Sequence, residues 1–373
     1  MTSYSAVTDA MPAADLCARC EVLPTAAEFG AGSLHLGLPV AFVLRKSRAV
    51  LQHLGWEYRE ANGIVSVAVP AGALPAYCRS LEAAFTPVEG DGIRALFVPA
   101  GRTPDLADFL DADSLRRVSA RANAGVLLET LAGHLTCAFQ PIVDATSFEI
   151  FAYEALLRTH SNAALSTPDE IFKVARDSDL LPHTDLAARR TIIARTAAVG
   201  ISQRLFINFC PSSIYDPKSC LRSTIEALDA AGIAHDRVVF EVVESDQVTD
   251  PGYLLDILRH YRQAGFKVAL DDLGSGFASL NLLHQLRPDF VKLDIALVAG
   301  IDSDPFKAML AGKIIEAARG LGMTVIAEGI ETAGELHWLQ NNGAQLLQGF
   351  YLARPAEMPV REIVVSAVDV AGQ

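Results

Sequence analysis

The chain has 373 residues, of which 51% are hydrophobic and 20% charged, and its 31 basic and 44 acidic side chains give a formal net charge of −13. A chain of this length can form two domains with separate cores, and its apolar content excludes an intrinsically disordered protein. The acidic balance argues against direct binding of DNA or RNA, which needs a basic surface. Any phosphate-bearing partner must then be bound through metal ions or a few placed basic groups.

The chain shows no sign of a membrane span or an export signal. The best apolar run, from Gly37 to Leu44, ends at Arg45 and Lys46, far short of the roughly 18 apolar residues that a span requires. The N-terminus has acidic residues and no basic residue before Arg19, unlike a signal peptide. We therefore expect a cytoplasmic protein without a membrane span.

Cys17 and Cys20 are the only close pair among six cysteines. A zinc site needs two further ligands, and no second CxxC or HxxxH motif follows at zinc-finger spacing. In a long chain without an export signal, the cysteines are expected to be free thiols. Two interpretations of the pair stay open, a metal or redox role and two buried thiols.

Residues 1–112 have the mixed pattern of a small α/β domain. Asn62-Gly63, between two β-type runs, predicts a hairpin with a type I′ turn. Helices are predicted at 39–54 and 74–85, and another strand is predicted at 93–99. Apolar residues at helical spacing predict a connecting helix over 113–134. The domain either senses a signal or mediates dimerisation, with this helix transmitting the change, or it is a scaffold for the rest of the chain.

Residues 135–373 have a different pattern, in which short apolar runs alternate with helical stretches. Eight runs are strand candidates, at 135–140, 148–154, 204–208, 238–241, 267–272, 290–294, 324–328 and 345–348. Such alternation predicts a parallel sheet, and eight strands predict a (β/α)8 barrel. The first two runs are too close for a crossover helix and should form a hairpin. The predicted fold is α/β, a TIM-like barrel modified by one antiparallel strand and preceded by the smaller domain.

A polar, usually acidic, residue ends each of these runs. These residues are Gln140, Glu154, Asn208, Glu241, Asp271 with Asp272, Asp294, Glu328 and Gln348. In such a barrel the carboxyl ends of the strands meet at one cleft. One or two charged residues there would simply face water, but six or more converging carboxylates would repel one another and raise one another's pKa values. A bound divalent cation would remove this repulsion.

The candidate metal ligands are all oxygen donors, which favours Mg²⁺ or Mn²⁺ over zinc. They are Glu154, Asn208, Glu241, Asp271 and Asp272. Neighbours on a regular strand point to opposite faces, so Asp271 and Asp272 can reach one site only where the strand ends in a turn. Gly274 and Gly276 would permit that turn. Two ions could then share Asp271 and activate a bridging water for attack on phosphorus.

Lys292 and Asp294 alternate on one face of their strand, so both should point into the barrel mouth. Lys292 could position the attacking water or stabilise charge in the transition state, and Glu328 could orient or deprotonate that water. The simpler alternative, in which Lys292 and Glu328 only pair with each other, stays open.

The segment Tyr153-Glu-Ala-Leu-Leu-Arg158 resembles the signature of the EAL-domain family of cyclic di-GMP phosphodiesterases. The resemblance covers residues 135–356, and further motifs follow the order found in that family. They begin at Gln140 (QPIV), Phe206 (FINF), Glu241 (EVVES), Leu270 (LDDLGSGFASL), Val291 (VKLD), Ile326 (IAEGIET) and Leu347 (LQGFY).

The resemblance implies hydrolysis of cyclic di-GMP to linear pGpG with Mg²⁺ or Mn²⁺, two ions in each site, and a homodimer formed through the barrel. The implied first metal site consists of Glu154, Asn208, Glu241 and Asp271, and the second of Asp271 and Asp272. Lys292 and Glu328 would serve the hydrolytic water, and Glu244 would anchor the loop after Asp272. Contacts with the dinucleotide are implied for Gln140, Leu156, Arg158, Asp294 and Gln348. Arg158 suits a phosphate because its planar fork can bind two oxygens at once.

The loop after Asp272 departs from the family pattern, with Leu273, Ser275 and Phe277 where the family usually has Phe, Thr and Tyr. In the family this loop links the metal site to the dimer surface, so the changes bear on turnover rate and its regulation. They leave the metal ligands unchanged.

Two other functions compete with the phosphodiesterase. A catalytically weak or inactive cyclic di-GMP receptor is the alternative from another class, but family members of that kind typically lose metal carboxylates or the signature Glu, and this chain keeps them. A glycosidase would use two carboxylates and leave Asn208, Lys292 and the Asp271-Asp272 pair without a role.

Overall fold

The computed structural model describes Leu23 and residues 29–110, 112–243, 251–274 and 279–363. Contacts divide the chain into two compact units. The small unit contains Leu23–His134 and Ser161–Thr184, and the barrel unit contains Leu135–His160 and the chain from Asp185 onward. Cys17, Cys20, Glu244, Ser275, Gly276 and Phe277 lie outside the described residues, so the predictions about them stay predictions.

The small unit is built on a five-stranded sheet. Its strands are β1 (Gly32–Gly37), β2 (Tyr58–Ala61), β3 (Ile64–Val69), β4 (Arg94–Pro99) and β5 (Asp113–Ser114). Its helices are α1 (Ala41–His53), α2 (Leu74–Ala84), α3 (Pro87–Gly92), α4 (Leu106–Leu110), α5 (Leu115–Ala122), α6 (Gly125–Gly133) and α7 (Pro168–Asp177). The strand order is β2-β3-β1-β4-β5 with all neighbours antiparallel. The order βαββαβ with this sheet is that of a ferredoxin-like fold.

The core of the small unit lies on one face of its sheet. Leu34 and Leu36 alternate along β1 and are fully buried, and they pack in one cluster with Leu51 of α1, Leu81 of α2 and Leu115 of α5. The sequence did not reveal β1, because its GSLHLG sequence has glycine at both ends and a histidine between the two leucines. Tertiary packing of those two leucines therefore determines this strand.

The predicted hairpin is present between β2 and β3. Asn62 and Gly63 have φ values of 52° and 77°, and a type I′ turn requires positive φ at both central residues.

Where the sequence predicts one helix over 113–134, the structure has the short strand β5 and two helices, α5 and α6. The break lies at Asn123, whose side-chain amide donates hydrogen bonds to the carbonyls of Ser119 at 2.8 Å and Pro75 at 3.3 Å. An asparagine that bonds nearby backbone in this way competes with helix continuation. Apolar periodicity cannot detect such a break.

The barrel unit contains eight strands and the remaining described helices. The strands are β6 (Leu135–Asp144), β7 (Ile150–Thr159), β8 (Arg204–Asn208), β9 (Val238–Val243), β10 (Lys267–Leu273), β11 (Phe290–Leu293), β12 (Thr324–Ala327) and β13 (Leu346–Leu347). The helices are α8 (Leu181–Ala198, which begins in the small unit), α9 (Pro217–Ala230), α10 (Pro251–Gln263), α11 (Ser279–Leu286), α12 (Ile295–Val298), α13 (Pro305–Gly320) and α14 (Ala333–Asn341).

The eight strands close into a barrel in chain order, with β13 beside β6. All neighbouring pairs are parallel except those made by β6, which is antiparallel to both β7 and β13. The predicted modified barrel with one antiparallel strand and a smaller α/β domain is therefore confirmed.

The β6–β7 hairpin is longer than the sequence predicts. The pair farthest from the hairpin turn is Leu135 with Thr159, so β7 continues five residues beyond Glu154. Glu154 therefore lies inside β7 and not at its end. The pairing of β7 with β8 ends at Ala155, but its pairing with β6 continues to Thr159.

Among the described residues, no helix is both long enough and apolar enough to cross a bilayer.

The turn between β2 and β3 gives a test of the small unit. Replacing Gly63 by Val should lower the free energy of unfolding by about 1–2 kcal/mol, because a β-branched residue is strained at positive φ. No heavy atom lies within 4 Å of a Cβ built at Gly63 or at Gly30, whose φ is outside the left-handed region. Gly30→Val is therefore the matched control in urea unfolding, and an equal loss in both variants would contradict the assignment of the turn.

Candidate active site

The barrel interior is arranged in two successive layers of side chains. The lower layer is apolar and takes one buried residue from each strand: Ile142, Ala152, Phe206, Val239, Ala269, Phe290, Ile326 and Leu346. Because side chains alternate along a strand, the residue two positions further on faces the same interior.

The second layer consists almost entirely of the polar residues that the sequence singled out. Two positions beyond the apolar layer along each parallel strand lie Glu154, Asn208, Glu241, Asp271, Lys292, Glu328 and Gln348. Gln140 belongs to the antiparallel strand β6 and precedes its apolar residue by two positions. The apolar layer closes the barrel beneath the polar one, so the polar layer faces the carboxyl ends of the parallel strands.

Lys292 lies among four carboxylates of this layer and is only 1% exposed. Its Nζ is 2.6 Å from Glu328 Oε1, 2.7 Å from Glu241 Oε1, 3.2 Å from Asp271 Oδ1 and 3.6 Å from Glu154 Oε1. Lys292 therefore does more than pair with Glu328, since one ammonium group faces carboxylates from four different strands.

The charges of the cluster are not balanced by Lys292 alone. Burial raises the pKa of Glu241 well above its usual value, and burial raises the pKa of Glu328 to about 8. Burial by itself lowers the pKa of Lys292, but the carboxylates of Asp271, Glu154 and Glu241 outweigh it and hold that pKa well above its usual value. The lysine thus stays charged, while the surplus carboxylates favour uptake of positive charge from protons or a cation.

Two amide side chains donate to Glu154, and a third is linked to them through Gln348. Gln348 Nε2 donates to Glu154 Oε2 at 2.7 Å and to Gln140 Oε1 at 3.2 Å, and Asn208 Nδ2 donates to Glu154 Oε1 at 3.2 Å. Gln140 in turn donates to the carbonyl of Ala353 at 3.2 Å. Nothing in the sequence indicates Ala353, because a main-chain acceptor leaves no side-chain pattern.

Asp271 and Asp272 occupy an irregular end of β10. The pairing of β10 with β11 changes register between Leu270 and Leu273, and Asp272 has a φ of 58°. The Asp272 N–H donates to Asp271 Oδ1 at 2.9 Å. Gly274 follows with a φ of 108°, and Leu297 of α12 occupies the space that a Cβ at Gly274 would need. The backbone thus leaves regular strand geometry where the adjacent carboxylates require it to.

Asp272 is coupled to the neighbouring acids. Burial, together with the charges of Asp271 and Asp294, raises the pKa of Asp272 to about 6, and its side chain is hydrogen-bonded to that of Asp294. Asp294 also begins α12, where its Oδ1 accepts the Ala296 N–H at 2.8 Å. Asp294 therefore lies beside the second aspartate of the pair, on the α12 side of the site.

Leu156 and Arg158 follow Glu154 at two-residue intervals and lie on the same face of β7, further along the strand. Both are half-buried, and the Arg158 guanidinium donates to the carbonyl of Leu157 at 2.7 Å. These two residues continue the inward face beyond the polar layer.

The donor set of the polar layer fits a hard divalent cation. Its donors are carboxylate and amide oxygens, and Glu241 Oε2 and Gln348 Oε1 are buried without a hydrogen-bonding partner among the described residues. No three acidic, histidine or cysteine side chains in that part of the chain are already arranged around one point as ligands. The Lys292 ammonium lies between the carboxylates, so binding of an ion requires these side chains to adjust.

Comparison with known proteins assigns the family. The family model of the EAL domain matches residues 125–355, and the chain belongs to this family. The resemblance found in the sequence is therefore confirmed.

Two curated relatives match about 60% of this chain. The probable cyclic di-GMP phosphodiesterase PdeD of Escherichia coli is 30% identical over 226 residues, and the cyclic di-GMP phosphodiesterase NbdA of Pseudomonas aeruginosa is 28% identical over 229 residues. The matches cover 60% of this chain in both cases, and 41% of PdeD and 29% of NbdA. The chain thus spans less than half the length of these relatives.

A standalone EAL protein from Vibrio cholerae O395, solved in its c-di-GMP-bound form, has a similar structure. It is 33% identical, with a TM-score of 0.57, and the alignment covers 62% of this chain and 95% of that one.

Lys292→Met tests the charge balance of the site. Removing the ammonium should lower the free energy of unfolding by about 3–5 kcal/mol, because it leaves buried carboxylates uncompensated. Mg²⁺ or Mn²⁺ should then raise the melting temperature of the variant more than that of the wild type. Lys313→Met, which removes an exposed pair with Glu316, is the control and should change little. Equal melting temperatures for Lys292→Met and the wild type without metal would refute this account.

Proposed function

We propose that the chain is a metal-dependent phosphodiesterase that hydrolyses cyclic di-GMP to linear pGpG. The proposal is based on the polar layer, in which Lys292 contacts four carboxylates at the open end of the barrel. The names of the curated relatives and the c-di-GMP-bound structure support the choice of substrate.

The proposed cofactors are two Mg²⁺ or Mn²⁺ ions. Glu154, Asn208, Glu241 and Asp271 would hold the first ion, and Asp271 and Asp272 would hold the second. When bound, the ions would supply the positive charge that acidifies a water and neutralises phosphate oxygens. The surplus of buried carboxylates and the unfilled oxygen of Glu241 support this assignment.

Glu328 and Lys292 are proposed to serve the attacking water. Glu328 is partly exposed and its pKa of about 8 suits a group that exchanges a proton near neutral pH. Lys292 Nζ, 2.6 Å from the Glu328 carboxylate, would hold that carboxylate in position. Glu328 would take a proton from the water as the water oxygen forms a bond to phosphorus. The bond from phosphorus to one ribose oxygen would break, and the released ribose oxygen would take up that proton.

The remaining residues of the inward face are proposed to bind the dinucleotide. Arg158 offers a planar guanidinium to a phosphate, and Leu156 an apolar surface beside it. Gln140, Gln348 and Asp294 would contact polar groups of the substrate. Glu244 is proposed to anchor the loop after Asp272.

We also propose that the protein is a homodimer formed through the barrel, with residues 1–112 as a sensing or dimerisation domain and 113–134 as its connection. Phe306, Met309 and Leu310 support the dimer, because they lie on one side of α13 at helical spacing and are 84%, 72% and 53% exposed.

Glu154→Gln tests the proposed activity. The wild type with Mg²⁺ or Mn²⁺ should convert cyclic di-GMP to pGpG, and the variant should lose at least 100-fold in rate, since a metal ligand is replaced by a neutral amide. Product formation is followed by chromatography and binding by calorimetry. Glu226→Gln, at an exposed position of α9, is the matched control. A wild type that binds cyclic di-GMP and forms no pGpG with either metal would instead be the receptor.

The dimer is tested by replacing both Phe306 and Met309 with Glu. The charged pair should convert a dimer to a monomer in light scattering coupled to size-exclusion chromatography, because charge on an apolar interface is not solvated. Met358→Glu, at a similarly exposed apolar position of the barrel unit outside α13, is the control and should leave the mass unchanged. A monomeric wild type, or a double variant that stays dimeric, contradicts the proposal.

A further inference from the structure

A cluster of buried polar side chains lies outside the barrel strands, between α8, α9, α10 and the loop after β8. Its members are Asp185, Arg189, Ser213, Thr224 and Tyr261, and each is at most 3% exposed. Arg189 Nη2 is 2.8 Å from Asp185 Oδ2, and Arg189 Nη1 donates to the Thr224 hydroxyl. A charged pair is therefore held in the layer between the helices and the barrel.

Stability is a weak explanation for this pair. Burying an Arg–Asp pair removes two charges from water, and apolar residues of similar size are often equally or more stabilising. The cluster is also incompletely bonded, since Arg189 Nε and the Tyr261 hydroxyl are buried without a hydrogen-bonding partner in the described part of the chain. The contacts that Asp185 does make indicate another role.

Asp185 holds the loop that follows β8. Its Oδ1 accepts the Cys210 N–H at 3.1 Å, and its Oδ2 accepts the Ser213 hydroxyl at 2.9 Å. Both contacts come from α8 and reach the five residues directly after Asn208. Thr224 on α9 holds Arg189, and Arg189 holds the carboxylate in place.

Asn208 lies directly before this loop. It is the last residue of β8, its side chain is exposed to the barrel mouth, and its amide donates to Glu154. On the β9 side its backbone is fixed by pairing with Glu241, and the Phe209 N–H donates to the Glu241 carbonyl at 3.3 Å. Beyond that point the ladder ends, and Asp185 provides the next anchor, at Cys210.

We infer that Asp185, held by Arg189, is a positioning residue that fixes the loop after β8 and thereby aims the Asn208 amide at the metal site. The inference rests on the proposed function, because it assigns Asn208 as a ligand. Outer partners of metal ligands commonly contribute 10–100-fold to metal affinity, which is the size of effect expected here.

The test uses the full chain with Asp185→Leu and Arg189→Met together. Replacing both charges by apolar residues leaves no charge unpaired, but the buried Cys210 N–H and Ser213 hydroxyl lose their acceptor, so the melting temperature should fall moderately while the chain stays folded. The loop loses both anchors, so the Kd for Mn²⁺, measured by paramagnetic resonance without nucleotide, should rise about 10-fold or more. Thr196→Val removes a buried hydroxyl of α8 that donates to the Ile192 carbonyl within the same helix, so it serves as the control, and its Kd should not change.

Ser213→Ala gives a second measurement in case the double variant does not fold. It removes one of the two anchors and should weaken Mn²⁺ binding in the same direction with little effect on melting. Unchanged Mn²⁺ affinity in Ser213→Ala and in a folded double variant would overturn the inference. A wild type that binds Mn²⁺ but forms no pGpG would refute the proposed function alone, since the metal affinities of the variants still report on the positioning.

Discussion

The closed barrel, with its alternation of side chains, is the constraint on which the rest of the structure depends. Each strand contributes one residue to an apolar layer, and the next inward residue of the parallel strands belongs to the polar layer. A one-residue slip of any strand would turn its polar residue toward the helices. The apolar layer thus sets the register that brings side chains from eight strands together, and it also closes the site on one side.

Within that layer, the excess of carboxylates over ammonium groups explains how an acidic chain can interact with phosphates. Lys292 compensates only part of the charge of Glu154, Glu241, Asp271 and Glu328, and burial makes the remainder costly. Divalent ions would complete the balance and offer positive charge toward the barrel mouth. The net charge of −13 therefore argues against binding of DNA or RNA, but it does not argue against binding of a small cyclic dinucleotide through metal ions.

The site is also supported from outside the barrel. Asp185 on α8 contacts the loop after Asn208, and Leu297 on α12 packs against Gly274 after the aspartate pair. Both supports come from helices that are distant in sequence from the residues they hold.

The sequence by itself determined the barrel, its antiparallel strand and the residues of the polar layer, because strand alternation and polar run ends are local patterns. It also determined the Asn62-Gly63 turn, which depends on two residues only. The tertiary structure decided that Glu154 lies inside β7 and that two helices replace the one predicted over 113–134. It also decided that Ala353 contacts Gln140 and that Asp185 contacts the loop after Asn208. These features depend on where distant segments pack and on main-chain acceptors, and neither leaves a periodic signal in the sequence.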